Sequence, residues 1–384
     1  MQRSWSINGR FLSQPITGVQ RYAYEVLLAL DRHLACRHPL GRELELDVLV
    51  PTGSAAPLPL QAIRTRVLPS SLTGHAWEQF ALPARVGHGV LSLCNTGPLW
   101  VGKQILCIHD VNTRTSPDSY TLPFRTLYRA LLPALGRTAT SIATVSRYSA
   151  QQLHRFGIAS QKRIIVAGNG HEHALKWQPR HSPATTACAG PDTIVIVGSP
   201  APHKNVGLLV SLAPELAAAG LRLAVVGSAN GTIFRSQLVN PATQNIAWLG
   251  RVSDAELAAL LQDCLCLAFP SLSEGFGLPV LEAMALGCPV VAADQASLPE
   301  VCGDAALLAS PTDRRQWLAS ILRLRRDGEL RQDLVKRGRR RAATYSWTDT
   351  AQRYLEEMWR IDGLGPPMPT APTRPAHVRP TLAS

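Results

Sequence analysis

Two glutamates eight residues apart are the side chains best suited to chemistry. Glu274 lies in a loop rich in small residues, and Glu282 lies in the helix predicted to follow that loop. Gly275 and Gly277 flank Phe276, so the loop backbone can approach a bound molecule closely. Carboxylates accept hydrogen bonds, which makes the hydroxyl groups of a sugar or a ribose suitable partners. The alternative is that Glu274 is a solvated loop residue and Glu282 is a charge on an exposed helix face.

The surrounding residues predict a strand, a glycine loop, a helix and a second strand. The apolar run over residues 264–269 ends at a proline, as short buried strands do. Pro279 suits the first turn of a helix over Leu278–Leu286, and Gly287 suits its C-cap. A second strand is predicted over residues 289–293. Open α/β sheets bind ligands at such strand-to-helix turns, and the N–H groups of a helix N-terminus attract phosphate.

Residues 270–291 resemble a known family signature. Their sequence, P-S-L-S-E-G-F-G-L-P-V-L-E-A-M-A-L-G-C-P-V-V, is similar to the E-x7-E motif of the retaining GT-B glycosyltransferases of glycosyltransferase family 4. It fits the common pattern of that motif at every fixed position. The resemblance implies the GT-B fold, an α/β architecture in which two Rossmann-like domains face a central cleft. It also implies a C-terminal helix that crosses back to the N-terminal domain.

The length of 384 residues and the apolar content of 46% are consistent with two domains, each with its own core. We expect an acceptor-side domain over residues 1–172 and a linker over 171–191. A nucleotide-sugar-binding domain is predicted over residues 190–346, followed by the returning helix over 348–362. Residues 364–384 are rich in Pro, Thr and Ala, so we predict a disordered tail.

The resemblance also implies roles for individual residues. Glu274 would hold the donor sugar, Glu282 the ribose and Lys204 the diphosphate. His109 follows a predicted strand in an I-H-D motif and would contact the donor sugar. Glu274, His109 and Lys204 are therefore the predicted catalytic residues. The other predicted donor-binding residues come from turns in both halves of the chain: Gly18, Ser199, His203, Gly250, Arg251, Gly275, Phe276, Gly277 and Leu278.

Some of these positions depart from the family pattern. Thr17 precedes Gly18 where many relatives have two glycines, and His203 and Ser199 stand where arginine is found in relatives. We therefore expect fewer cations around the diphosphate than the family usually provides. The alternative role for Lys204 is an ordinary surface lysine at a helix start.

On the acceptor side the predicted residues are Arg21, Asp110 and Asn112. Arg21 is either an acceptor contact or an ordinary surface arginine. Asp110 either holds the imidazole of His109 in one tautomer or caps the segment that follows it. Residues 112–119 are predicted to form a polar, mobile loop that faces the acceptor.

Local signals predict several nearby helices. Thr17 and Gln20 have the spacing of a capping box, as do Ser253 and Glu256. Apolar spacing predicts one continuous helix over residues 206–219, and two further helices over 314–326 and 330–344.

The net charge of +12 is densest over residues 314–341. This patch is a solvated helix face, a site of attraction to anionic lipid or, least favoured, a nucleic-acid surface, since no recognition motif accompanies it. The chain has no long apolar run, no signal-peptide core and eight scattered cysteines without a C-x-x-C pair. We expect a cytoplasmic protein with reduced thiols and no metal site, and contact with the inner face of an anionic membrane remains open.

The resemblance implies transfer, with retention, of a hexose from a nucleoside diphosphate sugar to a growing, lipid-linked surface polysaccharide or oligosaccharide. It implies no cofactor or metal beyond the nucleotide-sugar co-substrate. The segment T-G-V-Q-R-Y resembles bacterial mannosyl- or rhamnosyltransferases, and we favour GDP-mannose as the donor. The alternatives are a noncatalytic family member, a GT-B epimerase or phosphorylase, and a nucleic-acid-binding protein.

Overall fold

The computed structural model describes residues 3–54, 58–227 and 244–364, which form two α/β regions, each built on a parallel sheet. The predicted α/β organisation is confirmed. Apart from Leu364, the predicted tail lies outside the described residues. Within the described ranges, no helix combines the length and the apolar character needed to cross a bilayer. All eight cysteines are present as free thiols.

The first sheet contains seven strands in the order β3-β2-β1-β4-β5-β6-β7, and the second contains six in the order β10-β9-β8-β11-β12-β13. The strands of the first sheet are β1 (Arg3–Asn8), β2 (Leu44–Pro51), β3 (Arg64–Leu68), β4 (Gly89–Ser92), β5 (Gln104–Cys107), β6 (Ser141–Thr144) and β7 (Ile164–Val166). Those of the second are β8 (Thr193–Val197), β9 (Arg222–Val226), β10 (Ile246–Gly250), β11 (Cys266–Phe269), β12 (Val290–Ala293) and β13 (Leu307–Ala309).

Helices follow most of the strands, as crossover connections between parallel strands require. In the first half these are α1 (Gly18–Ala35), α2 (Gly74–Ala76), α3 (Asn112–Thr115), α4 (Leu122–Thr138), α5 (Arg147–Arg155) and α6 (Pro183–Thr186). In the second half they are α7 (Val206–Val210), α8 (Ala213–Ala218), α9 (Asp254–Asp263), α10 (Leu278–Leu286), α11 (Leu298–Cys302), α12 (Arg314–Arg326), α13 (Gly328–Ala342) and α14 (Trp347–Ile361). The central strands of both sheets are fully buried and, apart from Gln104 in β5, apolar, because helices cover both faces.

The last helix, α14, crosses back to the first sheet, as predicted. The hydroxyl groups of Tyr22 on α1 and Tyr354 on α14 lie 2.8 Å apart in a buried position. At the far end of α14, the guanidinium of Arg3 is paired with Asp362 at 2.7 Å. The start and the end of the chain's described part are thereby packed into one domain.

Three local predictions differ from the structure. The helix predicted over 206–219 is two short helices, α7 and α8, because Pro214 lacks the N–H that a continuous helix needs. The loop predicted over 112–119 consists of α3 and a 3-10 turn, Pro117–Ser119. Thr17 is the N-cap residue of α1, but its hydroxyl bonds to the side chain of Gln20 and not to the helix backbone.

Other local predictions are confirmed. Ser253 and Glu256 form the predicted capping box at the start of α9. The helix over residues 314–326 has the predicted bounds, while the next begins two residues earlier than predicted, at Gly328.

Candidate active site

The turn from β11 into α10 has the geometry that its glycines predict. Gly277 has φ +101° and lies directly before Leu278, where α10 begins, and Gly287 has φ +82° and ends the helix. Both conformations are in the left-handed region that favours glycine. No side chain caps the first turn of α10. Pro279 has no N–H and the N–H of Val280 donates to the carbonyl of Gly277 at 3.0 Å, so the backbone donor that the first turn offers to a ligand is the N–H of Leu278.

The loop before α10 is held from within its own domain. The hydroxyl of Ser297, which is fully buried, lies 3.0 Å from the carbonyl oxygen of Glu274 and 2.9 Å from that of Phe276. The ring of Phe276 is buried and meets that of Tyr345 edge to face. These contacts fix the backbone that carries the glutamate.

The same loop is held from the other domain at Gly275. A Cβ atom at this position would clash with the carbonyl oxygen of His109, so only glycine allows the two backbones to lie this close. Ser146 donates to the carbonyl of Gly275 at 2.6 Å, and the hydroxyl of Ser149 lies within reach of the carbonyls of both Gly275 and His109. The glycine loop is therefore part of the contact between the two domains.

Glu274 and Lys204, two of the predicted catalytic residues, form an ion pair. The Nζ of Lys204 lies 2.6 Å from Oε1 of Glu274, and both side chains are mostly buried. Asn205 adopts a left-handed conformation with φ +52° and donates to the carbonyls of Pro270 and Pro311, which fixes the turn that carries Lys204. The residues predicted to hold the sugar and the diphosphate are thus adjacent.

His109 lies against Gly275 of the glycine loop and is buried. Its Nε2 donates to the carbonyl oxygen of Leu93 at 2.8 Å, since a carbonyl can only accept. Burial lowers the pKa of His109 to about 4, with the bond to Leu93 acting in the other direction. The ring is therefore neutral at physiological pH, and Nδ1 is a hydrogen-bond acceptor.

Asp110 caps the segment that follows it, the second of the two predicted alternatives. Its Oδ1 accepts the N–H of Asn112 at 2.9 Å, while the carbonyl of Leu93 fixes the His109 tautomer. Burial and the nearby Glu274 raise the pKa of Asp110. The hydrogen bond from Asn112 and the charge of Lys204 act in the opposite direction and offset part of this rise. The Oδ1 of Asn112 accepts from Ser273 of the other domain at 2.6 Å.

His203 is placed at the contact between the domains. Its backbone N–H donates to the hydroxyl of Ser119 at 3.2 Å, and its ring is parallel to that of Tyr120 with centroids 6.2 Å apart. Burial and the adjacent Lys204 lower the pKa of His203. A neutral ring does not replace the charge of an arginine, so the cationic contribution of this turn comes from Lys204.

Glu282 has a different environment from Glu274. It is buried on α10, and its Oε1 accepts a hydrogen bond from Nε2 of His173 at 2.9 Å. Nδ1 of His173 in turn accepts from the indole N–H of Trp347 at 3.0 Å. His173 was not among the predicted site residues, because a single histidine in a polar linker gives no local signal of its partner.

The remaining predicted residues lie at turns and helix starts of both domains. Gly18 begins α1 without a side-chain cap, and nothing lies within 4 Å of where its Cβ would be. Arg21 is paired with Asp254 of the other domain at 2.6 Å. Gly250 has φ +65° at the end of β10, and Arg251 after it is exposed. Ser199 follows β8 and is half-buried.

Comparisons with known proteins show which families and folds this chain is similar to. Residues 179–341 match the family model described as Glycosyl transferases group 1. Over 113 residues, 29% of this chain and 30% of the relative, the sequence is 43% identical to O-antigen chain mannosyltransferase B of Escherichia coli. It is 24% identical to O-antigen chain mannosyltransferase RfbU of Salmonella typhimurium over 65% of this chain and 67% of the relative. The chain thus spans less than a third of the first relative and about two thirds of the second.

Solved structures share the fold over nearly the whole chain. WaaG, a glycosyltransferase involved in lipopolysaccharide biosynthesis, has a TM-score of 0.66 at 15% identity and covers 92% of this chain and 98% of its own. Anabaena Alr3699/HepE in complex with UDP-glucose has a TM-score of 0.64 at 17% identity, covering 94% of this chain and 100% of its own. The chain therefore has the GT-B fold, and its residues 179–341 are similar to the glycosyl transferases group 1 family.

Proposed function

We propose that this protein is a retaining glycosyltransferase that transfers a hexose from a nucleoside diphosphate sugar to a glycan. The observation that carries the proposal is the pair of Lys204 and Glu274 at 2.6 Å, beside the uncapped N-terminus of α10. A cation and free N–H groups suit a diphosphate, and the adjacent carboxylate suits sugar hydroxyls. The glycine loop brings this pair close to His109 of the other domain.

The proposed reaction breaks the bond between the anomeric carbon and the diphosphate oxygen and forms a bond to an acceptor hydroxyl on the same face. The acceptor proton passes to the departing diphosphate. Lys204, the first N–H groups of α1 and the N–H of Leu278 at the start of α10 stabilise the negative charge that develops there. Glu274, once Lys204 contacts phosphate, accepts hydrogen bonds from the sugar, and the neutral His109 offers Nδ1 as a further acceptor.

We propose that these residues act without a bound metal or other cofactor. Lys204 and the two helix N-termini supply the positive charge that a metal ion provides at other diphosphate sites. Transfer activity is then expected to persist in excess EDTA and to be unaffected when Mg²⁺ is added back. A loss of activity in EDTA that Mg²⁺ or Mn²⁺ restores would contradict this part of the proposal.

GDP-mannose is the favoured donor and a surface polysaccharide the favoured acceptor. Both relatives named above are O-antigen chain mannosyltransferases, which supports a mannosyl donor and a polysaccharide acceptor. The structural neighbour with UDP-glucose supports the nucleoside diphosphate sugar class. The base and the sugar are therefore the first properties to measure.

A lipid-linked acceptor would bring the N-terminal domain to a membrane surface. Three apolar residues of α4 are exposed, Leu122 by 70%, Leu127 by 49% and Phe124 by 38%. Residues 111–171 contain eight lysines and arginines and one acidic residue, Asp118. Exposed apolar side chains on a cationic helix favour an anionic lipid surface.

The Arg-rich helices α12 and α13 suit this contact less well. Arg314, Arg325 and Arg337 of this patch are paired with Glu215, Asp192 and Asp333. We therefore propose α4 as the membrane contact. A Leu122→Ser, Phe124→Ser variant is expected to sediment less with vesicles containing phosphatidylglycerol than Arg340→Ser does. Equal sedimentation of both variants and the wild type would contradict it.

The test of the main proposal is thermal unfolding with GDP, UDP, ADP and dTDP. A diphosphate at about 100 times its Kd adds about 2.7 kcal/mol to the free energy of unfolding. We expect one base to raise the Tm, and Lys204→Ala and Glu282→Ala to reduce that rise. The corresponding sugar donor should then give a product with the same anomeric configuration by NMR. A protein that no diphosphate stabilises would be a noncatalytic family member.

A further inference from the structure

A chain of three buried side chains connects Glu282 to two other parts of the molecule. Trp347 donates its indole N–H to Nδ1 of His173 at 3.0 Å, and Nε2 of His173 lies 2.9 Å from Oε1 of Glu282. All three residues are at most 6% exposed. Glu282 lies on α10, His173 in the segment between the two sheets, and Trp347 at the first turn of α14.

The hydrogen bonds determine which nitrogen of His173 carries the proton. An indole N–H can only donate, so Nδ1 of His173 must carry the lone pair that accepts it. The proton of the neutral ring is then on Nε2, where it donates to Oε1 of Glu282. Trp347 therefore sets the tautomer in which His173 holds the carboxylate.

The imidazole itself has little freedom to rotate. The ring of Trp177 meets it edge to face with centroids 5.4 Å apart, and the ring of Trp347 lies at 5.6 Å. A ring that contacts two indoles and is bonded to one of them keeps its Nε2 aimed in one direction. The side chain of Glu282 is consequently held through Oε1 by a neutral donor, which leaves its other oxygen, Oε2, for another partner.

We propose that His173 is a positioning residue that orients Glu282 toward the ribose of the donor nucleotide. This inference rests on the proposed function, in which Glu282 binds the ribose hydroxyls. His173 fixes Oε1, and Oε2 accepts from the ribose diol. Because Trp347 begins the helix that crosses between the domains, the orientation of the ribose-binding carboxylate depends on how α14 is seated.

The experiment compares GDP with 2′,3′-dideoxy-GDP by isothermal titration, or the UDP or ADP pair if that base stabilises the protein. Wild-type protein is expected to prefer the ribose form by about tenfold or more, the effect of one hydrogen bond to a charged group. His173→Phe keeps a ring between the indoles but has no donor. Its preference should fall to about threefold or less, through weaker binding of the ribose form alone.

Two further variants separate positioning from a merely structural role. His173→Gln places an amide N–H near the original Nε2 and should recover most of the preference. His171→Phe is the matched control, because His171 lies in the same segment and contacts the carbonyl of Tyr345 at 2.7 Å without touching Glu282. It should retain the wild-type preference.

Two other outcomes decide against the inference. If His173→Phe weakens both nucleotides equally, His173 only supports the fold. If wild-type protein binds both forms equally, Glu282 does not hold the ribose, although the site binds nucleotide. If His173→Phe fails to fold, the comparison passes to His173→Gln and to Trp347→Phe, whose unchanged preference would overturn the role of Trp347. Absence of nucleotide binding by the wild type is the separate failure of the proposed function.

Discussion

The two glutamates of one short motif lie in contrasting environments. Glu274 is paired with the cation Lys204 at the contact between the domains, where the lysine side chain remains 23% exposed. Glu282 is paired with the neutral donor His173, whose side chain is 2% exposed. The first pair can exchange partners when a charged ligand enters, whereas the second is fixed by aromatic packing. The difference suggests that Glu274 takes part in events that change during the reaction, while Glu282 provides a constant binding contact.

The largest expected effect concerns the exchangeable pair. Lys204→Ala removes the side-chain cation beside the proposed diphosphate and should lower kcat by about 100- to 1000-fold, as loss of one preorganised charge-stabilising donor does. Steady-state transfer assays measure this effect, with the sugar donor of the nucleoside diphosphate that stabilises the protein. The control is Lys176→Ala, a linker lysine outside the proposed site. An equal, small effect of both substitutions would remove Lys204 from the mechanism.

The next prediction concerns how the free energy of unfolding depends on pH through His109, which lies against the glycine loop that carries Glu274. Burial lowers the pKa of His109 to about 4, so below about pH 6.5 the unfolded chain binds a proton that the folded protein does not. The free energy of unfolding should therefore fall as the pH drops from 6.5 to 4, by up to roughly 3 kcal/mol from this residue. Urea unfolding of wild type and His109→Gln at pH 7 and 4.5 measures it. Parallel pH dependences in the two proteins would contradict the buried neutral state.

A third prediction tests the close approach of the two domains at the glycine loop. Gly275→Ala places a methyl group against the carbonyl of His109 and should lower the free energy of unfolding by about 1–3 kcal/mol. Gly102→Ala is the control, since a Cβ there meets no atom within 4 Å and its φ is not in the left-handed range. Equal stabilities of the two variants in urea unfolding would show that the domains do not approach this closely.

The last prediction, with the smallest expected effect, compares how much each of the two glutamates contributes to the free energy of unfolding. Glu282→Ala leaves the buried Nε2–H of His173 without a partner and should cost about 1–3 kcal/mol of the free energy of unfolding. Glu274→Ala leaves a lysine whose side chain is 23% exposed, so water can still reach its ammonium group, and the cost should be smaller than that of Glu282→Ala. Thermal and urea unfolding of the two variants check the order. A reversed order would mean that the Glu274 pair, and not the Glu282 pair, is the structural one.

The amino-acid sequence alone was sufficient for features whose cause lies within a few residues. Pro279, Gly277 and Gly287 bound α10 at the predicted residues, because a proline in the first turn and left-handed glycines act on the local backbone. Ser253 and Glu256 capped α9 for the same reason. The break between α7 and α8 also has a local cause, Pro214. The apolar spacing alone predicted one continuous helix there and did not take this proline into account.

The partners of the site residues were decided by tertiary structure. Lys204 and Glu274 are 70 residues apart, and His173 and Glu282 are 109 residues apart. The periodicity of helices and strands cannot predict contacts between residues so far apart in the sequence. These contacts exist only after both sheets have formed and α14 has crossed back. The sequence therefore determined which residues could do chemistry and which turns would carry them. The packing of the two domains determined that one carboxylate pairs with a lysine and the other with a neutral histidine.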